Sequence, residues 1–159
     1  MKVAMVMGSK SDYPVVERAE AVLREFGVEY ETRIISAHRT PRIAEEFASK
    51  AEEEGIEVLI AAAGKAAHLG GVLAAYTAMP VIGLPIKSST LDGLDSLLSM
   101  VQMPKGVPVA TVAIDGAENA ALLAVQILSV KYPELRKKMG DYRRKMEEEI
   151  IRQDRKLQE

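Results

Sequence analysis

Short continuous apolar runs alternate along this chain with stretches in which apolar residues recur every three or four positions. Val3-Ala4-Met5-Val6-Met7 is such a run, the pattern of a strand covered on both faces, and it ends in the polar turn Gly8-Ser9-Lys10-Ser11-Asp12. After Pro14, the residues Val15, Val16, Ala19, Val22, Leu23 and Phe26 fall on one helical face, and Gly27 stands where a helix stop is expected. The succession repeats with Val28 to Ile35 and then Pro41 to Glu54, closed by Gly55. It repeats again with Val58 to Ala63 and a helix across His68 to Ala78. Pro80-Val81-Ile82-Gly83-Leu84-Pro85 and the run Val107 to Ile114 read as two more strands, each leading through a turn into an apolar helix.

Five βα units predict a five-stranded parallel sheet with helices on both faces, the layering that right-handed crossovers produce. The expected fold class is therefore α/β: a three-layer αβα, flavodoxin-like domain over residues 1–131, followed by a C-terminal helical tail over 132–159. Pro133 can open that tail, which is dense in Lys, Arg and Glu. Its stripe of Leu135, Met139, Tyr142, Met146, Ile150 and Ile151 is too narrow for a core and suits packing on a neighbouring subunit. A solvated helix, frayed at its end, accounts for the same pattern.

Length and composition narrow the function more than the fold. A chain of 159 residues fits one domain and buries roughly two-thirds or more of its unfolded surface. A net charge of −2, from 21 basic and 23 acidic residues, gives no electrostatic reason to expect nucleic acid. The absence of cysteine removes disulfide and thiolate chemistry together. Apolar runs stay well below the roughly twenty residues of a membrane span, and Met1-Lys2-Val3-Ala4-Met5 does not open a long apolar leader. A cytoplasmic address without membrane contact is expected.

The candidate chemistry lies where the strands end. Gly8-Ser9-Lys10-Ser11-Asp12 closes the first strand and opens the first helix, so free N–H groups, two hydroxyls and a helix dipole converge as an anion cradle. Ordinary helix capping accounts for the same Ser and Asp residues. In Ser36-Ala37-His38-Arg39-Thr40-Pro41, a proton carrier stands beside a permanent cation at the next strand end. Adjacent strands lie about 5 Å apart, which would bring Ser36, His38 and Arg39 close to Ser9, Ser11 and Asp12 in one crevice. That pairing favours catalysis or phosphate capture over a surface histidine. At the third strand end, Gly64, Gly70 and Gly71 permit close backbone approach to a ligand. His68, the only other histidine, reads better as a support for that loop than as a second base. The polar and apolar mixture from Asp92 to Pro104 carries no function by composition alone.

These segments, taken in order with Ala66-Ala67-His68-Leu69, Pro80-Val81-Ile82-Gly83, Asp95-Ser96-Leu97-Leu98-Ser99, Gln102-Met103-Pro104 and Asn119-Ala120-Ala121-Leu122-Leu123-Ala124, resemble the class I N5-carboxyaminoimidazole ribonucleotide mutases of purine biosynthesis. That family is also known as the catalytic subunit of phosphoribosylaminoimidazole carboxylase, and the resemblance covers nearly all of the chain before the tail. It implies a homo-octamer with active sites at subunit contacts. The implied reaction moves a carboxylate from the exocyclic nitrogen of an aminoimidazole ribonucleotide to C4, without ATP, metal or organic cofactor. An ATP-dependent synthetase would supply the substrate. Carried over by position, His38 would be the general acid and base, and Ser11, Ser36 and Arg39 would hold the phosphate. Asp12 would accept from the ribose hydroxyls, while Ser9 and the turn Ala63, Gly64, Lys65, Ala66, Ala67, His68, Leu69 would surround the base and its carboxylate.

Two positions depart from the family pattern, which has Gly where this chain has Lys65 and Pro where it has Gly70. Lys65 could set an ammonium beside a carboxylate or point to solvent. If the family's glycine needs a positive φ, lysine brings strain of about 1–2 kcal/mol. Gly70 would loosen the turn. Two other functions stay open: direct carboxylation of aminoimidazole ribonucleotide by carbon dioxide, the class II activity, and a non-catalytic nucleotide-binding or assembly subunit. Class II proteins typically carry Lys in place of Arg39 and a Ser-Asn turn in place of Ala66-Ala67-His68, so the motifs favour the mutase.

Overall fold

The computed structural model describes residues 1–89 and 91–158. Strand and helix alternate as β1 (Lys2–Met7), α1 (Tyr13–Phe26), β2 (Glu29–Ile34), α2 (Pro41–Lys50), β3 (Val58–Gly64), α3 (Leu69–Ala75), β4 (Val81–Ile86), α4 (Leu94–Val101), β5 (Ala110–Thr111), α5 (Ala117–Leu128) and α6 (Pro133–Gln158). All strand pairs are parallel, in the order β2-β1-β3-β4-β5. This is the flavodoxin-like order, and the expected fold class is the one observed.

The period-two alternation of the central strands builds two cores. Val3, Met5 and Met7 of β1 with Val58, Ile60 and Ala62 of β3 pack under α1 and α5. Ala4, Val6, Leu59, Ala61 and Ala63 face the other way, toward α2 and α3. The continuous apolar runs therefore mark strands covered on both sides. Sequence punctuation works as expected at α1, where Pro14 lies in the first turn and Gly27 ends the helix at φ +71° with its N–H on the carbonyls of Leu23 and Arg24.

Four boundaries differ from the expectation. The run Val107 to Ile114 contributes only Ala110–Thr111 as strand, because Pro108 has no N–H for a ladder and the chain turns away at Asp115 after its N–H reaches Pro85 O. α2 stops at Lys50 and unwinds through a turn to Gly55 (φ +77°), while α3 spans only Leu69–Ala75. The expected break at residue 132 is not a break in the packing. Leu135 and Met139 of α6 are buried in this chain's own core, and the Tyr142 ring lies 5.7 Å from Phe26. The first turns of the tail thus belong to the domain, and only the part beyond Tyr142 is left with exposed apolar residues. Glu159, the last tail residue, lies outside the described residues. No described helix is long and apolar enough to cross a membrane.

Candidate active site

The carboxyl ends of β1 to β4 open on one cleft of about 550 Å³. Its position follows from the strand order. α1 leaves β1 toward one face of the sheet and α3 leaves β3 toward the other, so a crevice forms between the two strand ends.

The end nearest β1 and β2 is built for an anion. Ser9 caps a single 3-10 turn, Lys10–Asp12, accepting from the Ser11 N–H at 3.4 Å and from the Ser11 hydroxyl at 3.0 Å. Capping is therefore part of what these serines do. Asp12 precedes α1 but makes no side-chain cap; its carboxylate accepts from Ser11 Oγ at 3.2 Å and faces the cleft. Burial pushes the Asp12 carboxyl above its ordinary 3.8, against the opposing pull of the Ser11 hydroxyl, the Ser9 backbone and the Arg39 guanidinium. At neutral pH the charged form is thus held at a cost that hydroxyl donors of a ligand would offset.

Arg39 spans β1 and β2. One guanidinium nitrogen donates to Gly8 O at 2.7 Å, and Nε and the backbone N–H reach Ser36 Oγ at 3.3 and 3.2 Å. Thr40 closes the turn by accepting from the Ser36 N–H and donating to Ser36 O, both at 3.0 Å. Pro41 starts α2, so a second helix N-terminus follows immediately. Hydroxyls, a fixed guanidinium and the starts of α1 and α2 make this end chemically suited to an anion.

Deeper along the cleft, His38 Nε2 lies 2.9 Å from His68 Nδ1, with the rings nearly perpendicular. One nitrogen of this pair must carry the shared proton, so the tautomer of one ring sets that of the other. His68 is held by its position directly before α3 and by its N–H on Ala66 O at 2.9 Å. The two rings meet although 30 positions separate them in sequence. Lys65 adopts the left-handed conformation, φ +57°, the strain foreseen for a side chain at this glycine position. Gly70 is different: a Cβ there would meet only ordinary contacts, Val109 at 3.5 Å and Ala61 at 3.7 Å, so the turn does not require glycine. At Gly71 a Cβ would stand 2.8 Å from Met103 Sδ, which shows how closely the Gln102-Met103-Pro104 segment seats on α3.

Ser9, Ser11, Asp12, Ser36, His38, Arg39, Ala63, Gly64, Lys65, Ala66, His68 and Leu69 line this cleft, whereas Ala67, Gly70 and Gly71, also named from the sequence, are not in its lining and Ala67 is buried. Sequence reasoning missed the wall supplied by Ile86, Lys87 and Ser88 after β4. The available signal was their place just beyond an apolar strand, the same rule that found the others. The stretch from Asp92 to Pro104 braces this wall. Buried Ser96 donates to Ile86 O at 2.9 Å and Gly93 O at 2.7 Å, and Asp95 accepts from Ser88 Oγ at 3.3 Å.

Comparison with known proteins agrees with the cleft. The AIR carboxylase family model matches residues 2–149. The chain is 59% identical over 157 residues to N5-carboxyaminoimidazole ribonucleotide mutase of Pyrococcus horikoshii, covering 99% of this chain and 89% of that one. It is 64% identical over 145 residues to the mutase of Pyrococcus abyssi, covering 91% and 83%. The crystal structure of Treponema denticola PurE superposes with a TM-score of 0.89 at 31% identity, over 99% of both chains. With the family pattern running from β1 into α6 and its strand-end motifs gathered in one cleft, this chain belongs to the AIR carboxylase family.

Proposed function

We propose that the chain is an N5-carboxyaminoimidazole ribonucleotide mutase of purine biosynthesis, an isomerase that moves a carboxylate from the exocyclic nitrogen to C4. The observation that carries this reading is the His38–His68 pair, set in the same cleft as the Arg39 and Ser36 anion site. Relatives of the same name at 59% and 64% identity support it.

Arg39, Ser36 and Ser11 hold the phosphate, and Asp12 accepts from the ribose hydroxyls. Ser9 and the turn from Ala63 to Leu69 enclose the base. His38 gives a proton to the carbamate nitrogen, the N–C bond breaks, and carbon dioxide and aminoimidazole ribonucleotide are left in the cleft. C4 then attacks the carbon dioxide, and His38 takes the C4 proton, which restores its starting state. No atom is gained or lost. An imidazole suits both steps because its unperturbed pKa lies near neutrality. His68 orients the His38 ring and fixes its tautomer.

The surroundings of the reaction follow from the same reading. An ATP-dependent synthetase supplies the carbamate, the compartment is the cytoplasm, and the working assembly is a homo-octamer whose contacts use the outer part of α6.

Turnover of the carbamate nucleotide without added bicarbonate tests the reaction. Formation of the C4-carboxylated product supports the mutase. Product only when bicarbonate is supplied indicates direct carboxylation, and no product under either condition indicates a binding subunit.

A further inference from the structure

The opposite end of the cleft carries two cations to which the reading above gives no joint role. Gly64 of β3 pairs with Ile86 of β4, so the next residues, Lys65 and Lys87, leave the sheet side by side, with strands about 5 Å apart. Both are exposed and both line the cleft. Lys65 keeps its left-handed backbone, a conformation that persists in folded proteins where the surroundings enforce it and that clusters at ligand sites. Its ammonium has no hydrogen-bond or ion-pair partner among the described residues. Lys87 is anchored by its backbone N–H, which donates to Asp115 Oδ1 at 2.8 Å. Its ammonium lies 3.3 Å from Asp92 Oδ1, with side-chain exposures of 59% and 87%. Such a solvent-screened pair contributes little and exchanges readily for another carboxylate. Asp92 itself stands in a run of three positive φ values, +52° at Leu91, +51° at Asp92 and +96° at Gly93, so the backbone of this turn presents it in an unusual way.

Neighbouring ammonium groups repel each other unless an anion lies between them. The phosphate end of the cleft is already served by Arg39, Ser36 and two helix N-termini. We propose that Lys65 and Lys87 form a second anion pole that receives the transferable carboxylate of the nucleotide, which displaces Asp92 from Lys87. This inference rests on the mutase reading. The pole acts on the carboxylated substrate and product but not on the decarboxylated intermediate. It thereby favours the carboxylated nucleotides over the intermediate state, in which free carbon dioxide could leave the cleft.

Calorimetry with two nucleotides tests this: the C4-carboxylated aminoimidazole ribonucleotide and the same nucleotide without the carboxylate. Lys65→Met and Lys87→Met remove each charge while keeping most of the stem. Each variant is expected to bind the carboxylated nucleotide about tenfold more weakly and the other within about twofold of the parent, as loss of a charge-assisted contact predicts. Lys65→Arg and Lys87→Arg should keep most of the preference, and in the parent the preference should shrink as salt is raised. Equal losses for both nucleotides, or no loss for either, would overturn the carboxylate pole and leave the mutase reading standing. A parent chain that binds neither nucleotide would overturn the mutase reading and this inference together.

Discussion

His38 is positioned by one contact rather than by burial: it is exposed, and His68 meets it at 2.9 Å. On the mutase reading, His38→Asn keeps the approximate size and a hydrogen-bonding group but loses the titratable proton. Turnover should fall by about 10²–10⁴-fold while nucleotide affinity changes little, measured by single-turnover kinetics beside calorimetry. Near-native turnover would remove His38 from the chemistry. Asp12 gives a pH signature at the same scale. Its carboxyl titrates above the ordinary 3.8 in the fold, so the folded state binds the proton more tightly than the unfolded chain does. Its contribution to stability is most favourable below pH 3.8 and declines as pH rises through the raised value. Asp12→Asn should therefore stabilise the free protein at pH 7 relative to the parent, an advantage that disappears in acid, while weakening nucleotide binding. Thermal melts across pH check the sign; an Asn variant less stable at pH 7 would contradict it. These residues were legible because strand-end position, residue type and the family motif all named them. The His–His contact was not, since nothing local in sequence says that two turns 30 residues apart aim their rings at each other.

Among the elements, α1 and the doubly covered strands were readable because Pro14, Gly27 and the apolar runs act locally. The extent of β5 and the packing of the tail were not, because these depend on neighbours. Pro108 shortens β5 by removing a ladder donor, and the tail stripe divides according to what it meets. Leu135 and Met139 find the core beside α1 and α5, Lys138 Nζ donates to Phe26 O at 2.7 Å, and Tyr142 packs on Phe26. Met146, Ile150 and Ile151 remain about half exposed or more. Two truncations separate these halves. Cutting after Tyr132 withdraws two buried apolar side chains, each contributing roughly 1.5–3 kcal/mol, so a loss on the order of 3 kcal/mol or more is expected. Cutting after Tyr142 leaves that core covered and should cost far less. Chemical denaturation of both truncated chains makes the comparison, and equal stability of the two would mean that α6 does not hold the domain together.

The whole molecule shows an uneven surface. Besides the outer tail, Leu91, Leu94, Leu98 and Val101 stand roughly half or more exposed at spacings of three and four along the turn before α4 and α4 itself. On the mutase reading, these two exposed apolar stripes are the proposed association surfaces. Closed symmetric assembly would bury both without leaving an open edge. The octamer proposed from the family resemblance is the assembly that would cover them. Light scattering of the intact chain should give a mass near eight chains. Leu94→Glu with Leu98→Glu should lower that mass by placing charges in a surface that must be dry, without unfolding the subunit, because both side chains already face solvent in the single chain. If active sites form at subunit contacts, carbamate turnover should fall together with the mass. A monomeric parent with full turnover would show that the cleft works alone and that the stripes serve something else.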